Sequence, residues 1–559
     1  MGILQIAIVI VILILLVKPL GTYLYHVFSN EANRTDRWFA PIEKAIYAVT
    51  GLKNRSGMTW KMYGLSFIVT NIVLVGAGYL ILRLQTLLPL NPNGIGNMEQ
   101  TLAFNTVISF MTNTNLQHYS GETGLSYFSQ MAVITMMMFT SAATGLCVAI
   151  AFVRGVTSRG ERIGNFFEDF VKAHVRVFFP LALIVTLTLV ALQVPQTLQP
   201  ALTVNTLEGG EQHIAIGPVA SLEAIKHLGT NGGGFFGVNS AHPFENPSAL
   251  TNVIEILSMW SLSAALPYTY GLFARNRKQG WVIFSAMMIL FLLFLSLVYA
   301  AESAGNPVLN RLGIDASQGS MEGKEVRFGI AQSALFTTVT TAATTGSVNN
   351  MHDTLTPLGG ITPLALMMLN CVFGGKGVGL VNMLMYAMLA VFLAGLMVGR
   401  TPEFLGRKIE PREMKLIAIA ILAHPLIILA PTGIALAAEL GKAAISNPGF
   451  HGITQVLYEY ASSAANNGSG FEGLGDNTPF WNISTGIVML LGRYISMIAL
   501  LAVAGSLASK QWVPETLGTF RTDNRLFVGI LVGTVLIIGA LTFLPAIVLG
   551  PIAEQVTIR

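Results

Sequence analysis

Charge is what this sequence has least of. Asp, Glu, Lys and Arg make up 11% of its 559 residues against 53% hydrophobic. A chain this long with so few charges cannot present a polar surface to water, so its solvent is a bilayer. The formal net charge of +4 is too small to point to nucleic acid. Cysteine is nearly missing: Cys147 and Cys371 sit in apolar runs with no metal-ligand spacing and no second thiol nearby, which reads as core packing. Nucleotide motifs are lacking too. Gly232 to Gly237 satisfies G-x-G-x-x-G, but no βαβ unit surrounds it, and Gly374-Gly375-Lys376-Gly377 is not a P-loop. If ATP drives this protein, another subunit hydrolyses it; no catalytic residue and no nucleotide are expected on this chain.

Long apolar runs are what the chain has in abundance. Ile3 to Val17 has no basic segment before it and no small-residue cleavage site after it, so a retained helix is expected rather than a signal peptide. Further spans fall at about 63–87, 125–153, 177–195, 249–274, 281–301, 361–399, 414–438, 483–508 and 526–548. That makes about ten. Arg34, Arg37, Lys44, Lys53, Arg55 and Lys61 follow the first span and should hold its loop in the cytoplasm, with the N-terminus outside. Carried along the chain, this alternation places most of the 32 Lys and Arg on the inner side and leaves the outer side net negative. An acidic outer mouth concentrates cations.

Four outer loops spell nearly the same thing. They are Thr112-Asn113-Thr114-Asn115, Thr230-Asn231-Gly232-Gly233, Thr344-Thr345-Gly346-Ser347 and Asn466-Asn467-Gly468-Ser469, spaced by about 118, 114 and 122 residues. Each follows a mildly apolar stretch too short to cross a bilayer: Gln100 to Met111, Pro218 to Gly229, Ile330 to Ala343 and Ile453 to Ala465. Each precedes a long apolar run, giving the order pore helix, filter, membrane helix. The expected architecture is an all-α polytopic membrane protein with four repeated helix–pore loop–helix units around one pore and an extra helix at each end. The expected segments are 1–62 (N-terminal helix and cytoplasmic loop), 63–153, 177–274, 281–399 and 414–508 (the four repeats), and 526–559 (C-terminal helix).

A single Gly/Asn/Ser-rich loop between membrane helices reads as a turn. Four in register read as a pathway, because irregular backbone survives at membrane depth only where protein or a water-filled cavity surrounds it. Potassium sheds its water in a narrow filter, where rings of carbonyl oxygen replace it. Glycine allows the positive φ such backbones need, and Gly232, Gly346 and Gly468 align, with Thr114 as the exception in the first loop. Neutral Thr, Asn and Ser oxygens suit a monovalent ion better than the carboxylates that hold calcium.

The run 361–399 is too long for one straight span and is interrupted at Gly374 to Gly379, a pattern that marks ion sites or gates. Lys376 in that break and Arg493 inside the ninth span are cations at membrane depth, and such groups by default face a cavity or a partner. Arg493 reads equally well as a structural donor to helix-end carbonyls. Glu255 reads as a helix-end charge. The groups His242, Glu245, Asn246 and His352, Asp353 lack a third spaced ligand and read as loop hydrogen bonding.

The loop series, with the flanking GGGFFGVNSAHPFENPS ending at Ser248, VNNMHD from Val348 and NNGSGFEGLGDNTPFWN from Asn466, resembles the KdpA family of potassium-translocating subunits over essentially the whole chain. Trk, Ktr and HKT transporters share its fourfold plan without these flanks. The resemblance implies a potassium filter at Thr112, Asn113, Thr114; Thr230, Asn231, Gly232; Thr344, Thr345, Gly346; and Asn466, Asn467, Gly468, with Gln117 supporting the first loop. Thr345 stands where some members carry cysteine. It also implies a gate or coupling element at Gly374, Gly375, Lys376, Gly377 and Arg493, and a sideways exit for the ion. The implied partners are the P-type ATPase subunit KdpB and the small subunits KdpC and KdpF, in a bacterial inner membrane. The alternative is a self-sufficient potassium channel or ion-coupled transporter of the Trk/Ktr/HKT type.

Overall fold

A computed structural model describes residues 2–29, 31, 35–52, 56–158, 160–314, 318–397, 399, 402–514 and 519–558; Arg34, Lys53 and Arg55 of the expected cytoplasmic loop lie outside them. Among the described residues, ten helices are long and apolar enough to cross a membrane. Eight of them, with the shorter helix that precedes one of them, are arranged as four helix–pore helix–helix units. The first joins α3 (Trp60–Arg83), pore helix α4 (Gln100–Met111) and α5 (Tyr127–Thr157); the second joins α6 (Phe166–Ala191), pore helix α7 (Val219–Leu228) and α8 (Ala249–Phe273). The third joins α9 (Arg277–Ser303), pore helix α10 (Gly329–Ala342) and a membrane helix broken into α11 (Pro357–Leu369) and α12 (Val378–Met397). The fourth joins α13 (Pro411–Ala437), pore helix α14 (Phe450–Ala465) and α15 (Pro479–Ala508). Helix α1 (Gly2–Phe28) precedes the units and α16 (Arg525–Ile547) follows them.

Length separates the two kinds of helix. The pore helices have 12, 10, 14 and 16 residues, which at about 1.5 Å per residue falls short of a hydrocarbon core about 30 Å thick. Burial then separates inner from outer helices. Over its most apolar stretch α5 is 89% buried and α8 72%, whereas α1 is 17% and α3 22% buried. Helix α5 is buried all round and carries a run of small residues, Ser141, Ala142, Ala143 and Gly145, which lets neighbouring backbones approach closely. Helix α1 lies along α8, where Thr269 Oγ1 donates to the Gly21 carbonyl at 3.1 Å.

Two features depart from the expected outline. The loop after α1 carries α2 (Asp36–Thr50), an amphipathic helix rather than irregular chain. Its Glu43 is buried against Arg176, whose Nη2 donates to Glu43 Oε2 at 2.8 Å; Asp36 pairs with the same guanidinium. Helix α2 is too short and polar to span, so a search for spanning runs passes over it. Outside the membrane, a β-hairpin pairs β1 (Leu202–Asn205) antiparallel with β2 (Glu211–Ile214).

Candidate ion-binding site

Each pore helix ends by turning its backbone through the same three-residue pattern. Positive φ occurs at Asn113 and Asn115, Thr230 and Gly232, Thr344 and Gly346, and Asn466 and Gly468. Between each pair sits one residue whose N–H donates five residues back: Thr114 to Ser109, Asn231 to Lys226, Thr345 to Thr340 and Asn467 to Ser462, at 2.7–2.9 Å. This corrects the register of the first loop. Asn115, not Thr114, matches Gly232, Gly346 and Gly468, and Thr112 stands one residue before the pattern. Asparagine is the residue other than glycine that best tolerates left-handed backbone, so φ of 58° at Asn115 needs no glycine.

The four loops close into a ring. A Cβ built on Gly232 would lie 1.9 Å from the Thr345 carbonyl oxygen, one on Gly346 2.1 Å from that of Asn467, and one on Gly468 1.9 Å from that of Thr114. Three seams therefore pair the glycine of one repeat with the central carbonyl of the next. The fourth is made by side chains: Asn113 Nδ2 donates to the Thr230 carbonyl at 2.6 Å, and Asn231 Nδ2 donates to Asn113 Oδ1 at 2.9 Å. Asn466 Nδ2 donates to Thr114 Oγ1 at 2.9 Å across the seam between repeats 4 and 1. Gln117 clamps loop 1 to loop 2 from both sides of its amide, donating to the Gly234 carbonyl (3.0 Å) and accepting from Gly234 N–H (2.8 Å). Asn115, Asn231 and Thr345 each bury a side-chain oxygen that no donor among the described residues reaches.

Behind loops 2 and 3 lies a charge cluster that sequence reading missed. Lys226 Nζ contacts Glu223 (2.9 Å), Glu245 (2.6 Å) and Ser240 Oγ (3.0 Å), all of them essentially unexposed. Next to it His227 Nε2 faces Ser347 Oγ at 3.0 Å and Glu255 at 3.5 Å. Glu255 is thus a buried member of this cluster rather than a helix-end charge. Glu245 serves it from 19 residues beyond Lys226, so no local spacing announces the site. Desolvation makes such a cluster costly unless every charge has a partner, and here it anchors the loop 2 backbone through Phe236 N–H, which donates to Glu245 Oε1 at 2.7 Å.

Beneath the ring the third unit's membrane helix breaks. Gly375 N–H donates to the Ala343 carbonyl at 2.7 Å, so the break sits directly against loop 3. Gly375 and Gly377 both have positive φ. Lys376 is 2% exposed, and its Nζ donates to the Met259 carbonyl at 3.0 Å. Arg493 comes to the same place from α15, donating through Nη2 to the Ser141 carbonyl at 3.2 Å. The meeting point is Gly145, where a Cβ would lie 2.9 Å from Arg493 Nη2 and 3.1 Å from the Lys376 carbonyl. The Arg493 guanidinium thus lies beside the backbone of the break, while the Lys376 ammonium is turned to the Met259 carbonyl of α8. A small cavity close by is lined by Asn370, Asn382, His424 and Asn466 among others.

His451 at the start of α14 ties three segments together. Its Nε2 meets Asp353 at 3.0 Å and its Nδ1 meets Glu554 at 2.9 Å. Burial pushes its pKa down, but hydrogen bonds and attraction from both carboxylates outweigh this and raise it from 6.5 to about 9. The sign follows from the raised value: the imidazolium's contribution is full below about pH 6.5 and is lost as pH rises through about 9. Thermal unfolding in detergent should therefore show stability falling from neutral pH towards pH 10, by on the order of 1–2 kcal/mol after solvent screening. His451→Gln should flatten that slope.

The fold and the ring define a class, that of multi-pass helical membrane proteins built from four pore-loop units. Among solved structures, the potassium transporter TrkH from Vibrio parahaemolyticus shares this fold, with a TM-score of 0.52 at 16% identity over 78% of this chain and 84% of that one. Sequence places the chain more narrowly. Residues 7–556 match the family described as KdpA, the potassium-transporting ATPase A subunit. The chain is 66% identical over 555 residues to the potassium-transporting ATPase potassium-binding subunit of Geobacillus kaustophilus (strain HTA426), covering 99% of both. It belongs to the KdpA family.

Proposed function

We propose that this chain binds potassium in the four-loop ring and translocates it as the channel-like subunit of an ATP-driven, high-affinity uptake complex. The observation that carries the reading is the closed ring, in which the glycine of repeats 2, 3 and 4 makes room for a carbonyl of the next repeat and Asn113 of repeat 1 donates to a carbonyl of repeat 2. Alternating hands of backbone in successive residues turn successive carbonyls to one side, and a ring of such carbonyls replaces the hydration shell of potassium. The filter set is then Asn113 to Asn115, Thr230 to Gly232, Thr344 to Gly346 and Asn466 to Gly468, with Gln117 as support. The break at Gly374 to Gly377, with Lys376 and Arg493, acts as gate or coupling element. Hydrolysis belongs to a P-type ATPase partner, KdpB, assembled with KdpC and KdpF in the bacterial inner membrane, with this chain's N-terminus outside and no nucleotide bound to it.

Purification from the native membrane in mild detergent tests the assignment to a pump. An ATPase chain should copurify, with hydrolysis stimulated by potassium over sodium. A chain that comes out alone, without such activity, yet conducts potassium in liposomes would make the self-sufficient transporter the better reading.

A further inference from the structure

We infer that His118, Glu459 and Asp476 form a binding site for a divalent transition-metal ion of the zinc class at the outer mouth of the ring. The three residues come from separate segments: His118 follows filter loop 1, Glu459 lies on pore helix α14, and Asp476 lies in the loop after filter loop 4. His118 Nε2 is 3.3 Å from Glu459 Oε1 and 3.7 Å from Asp476 Oδ2, and all three ligand atoms lie within 4.8 Å of one another. Ligands on a tetrahedral ion with bonds of about 2.0–2.1 Å stand about 3.3 Å apart, close to the first of these separations. Asp476, on a loop and partly exposed, has the freedom to close the remainder.

The imidazole is oriented for this role. His118 Nδ1 lies 2.7 Å from Asn482 Oδ1. The Asn482 amide is itself held by its Nδ2, which donates to Thr101 Oγ1 at 3.1 Å. Oδ1 therefore accepts from Nδ1–H, which leaves Nε2, the nitrogen that faces the two carboxylates, as the one available to an ion. A second partner that fixes tautomer and ring plane is the usual setting of a metal-ligating histidine.

Charge points the same way. No lysine or arginine among the described residues pairs with Glu459 or Asp476. Even an imidazolium leaves one of the two carboxylates uncompensated, whereas a dication with neutral imidazole balances both. Mixed nitrogen and carboxylate ligands suit zinc and its neighbours in the first transition row better than calcium or magnesium, which take oxygen. The other buried trio, Glu223, His227 and Glu255, differs in this respect, because Lys226 already occupies Glu223.

A bound ion would tie repeat 1 to repeat 4 beside the seam at Thr114 and Gly468. Its effect reaches the ring through short paths: Gln117 is the neighbour of His118, and Ser462, one turn beyond Glu459, accepts from Gly468 N–H at 2.9 Å.

The test uses the full chain, purified without a histidine tag, stripped with chelator and titrated with cobalt(II) alone. One equivalent should bind, with the visible absorption of low-coordinate cobalt, and zinc should displace it. His118→Gln and Asp476→Asn should each weaken binding by at least about tenfold. X-ray absorption of the zinc-loaded wild type should show imidazole scattering together with oxygen ligands, a readout that does not depend on the variants folding. No stoichiometric binding by the wild type, a zinc shell without imidazole, or undiminished binding in both monodisperse variants would overturn the site and leave an ion-paired histidine.

Discussion

Gly232→Ala and Gly468→Ala are each expected to lower potassium affinity by at least about tenfold and to erode discrimination against sodium. The added Cβ would stand 1.9 Å from the facing carbonyl oxygen of Thr345 or Thr114. Real contacts of this kind start near 3.0 Å, so that carbonyl must move by more than 1 Å. A filter distinguishes ions by the number and placement of its carbonyls, and a shift of this size alters both. Strain adds to the clash: φ is 105° at Gly232 and 100° at Gly468, and holding a side chain there costs on the order of 1–3 kcal/mol. Gly76→Ala on α3, where a Cβ meets nothing within 4 Å, is the control and should change neither property. Equilibrium binding of potassium and sodium to the purified variants reads the result. Wild-type affinity in both filter variants would remove the ring from the account.

Arg493→Gln is expected to act in the opposite way, changing turnover or leak by about tenfold while affinity stays within about threefold of wild type. The guanidinium lies below the ring, held by the Ser141 carbonyl, beside the break that carries Lys376. A fixed positive charge in a region of low effective dielectric repels a cation that passes it. That repulsion is felt by an ion leaving the filter more than by one resting in it. Lys376→Met should act in the same direction, since Lys376 is a buried cation within the break itself. Transport into vesicles measured beside equilibrium binding separates rate from affinity. A loss confined to affinity would show that Arg493 acts on the filter itself.

The membrane helices were legible because a bilayer demands long apolar runs, and the four loops because they recur at near-constant spacing. The broken third unit was legible for a related reason: a run from 361 to 399 exceeds one span and is interrupted by glycines. The first loop's register was not. Aligning on glycine favours Thr114 only when glycine is taken as the sole residue for positive φ, whereas asparagine at 115 satisfies the same backbone. The cluster of Glu223, Lys226, Glu245 and Glu255 escaped for a different reason, because its charges come from α7, the following loop and α8, and meet only in the folded chain. Helix α2 escaped because amphipathic character, not length, makes it a helix, and its anchor Arg176 lies 133 residues from Glu43.

The central claim is that the four loops make one potassium-selective ring. Equilibrium binding of potassium to the purified full chain, in competition with sodium, tests it most directly. The account predicts one saturable potassium mode that excess sodium does not displace, lost or weakened in Gly232→Ala and Gly468→Ala. Potassium and sodium binding with equal affinity, or potassium binding unchanged in both variants, would contradict it.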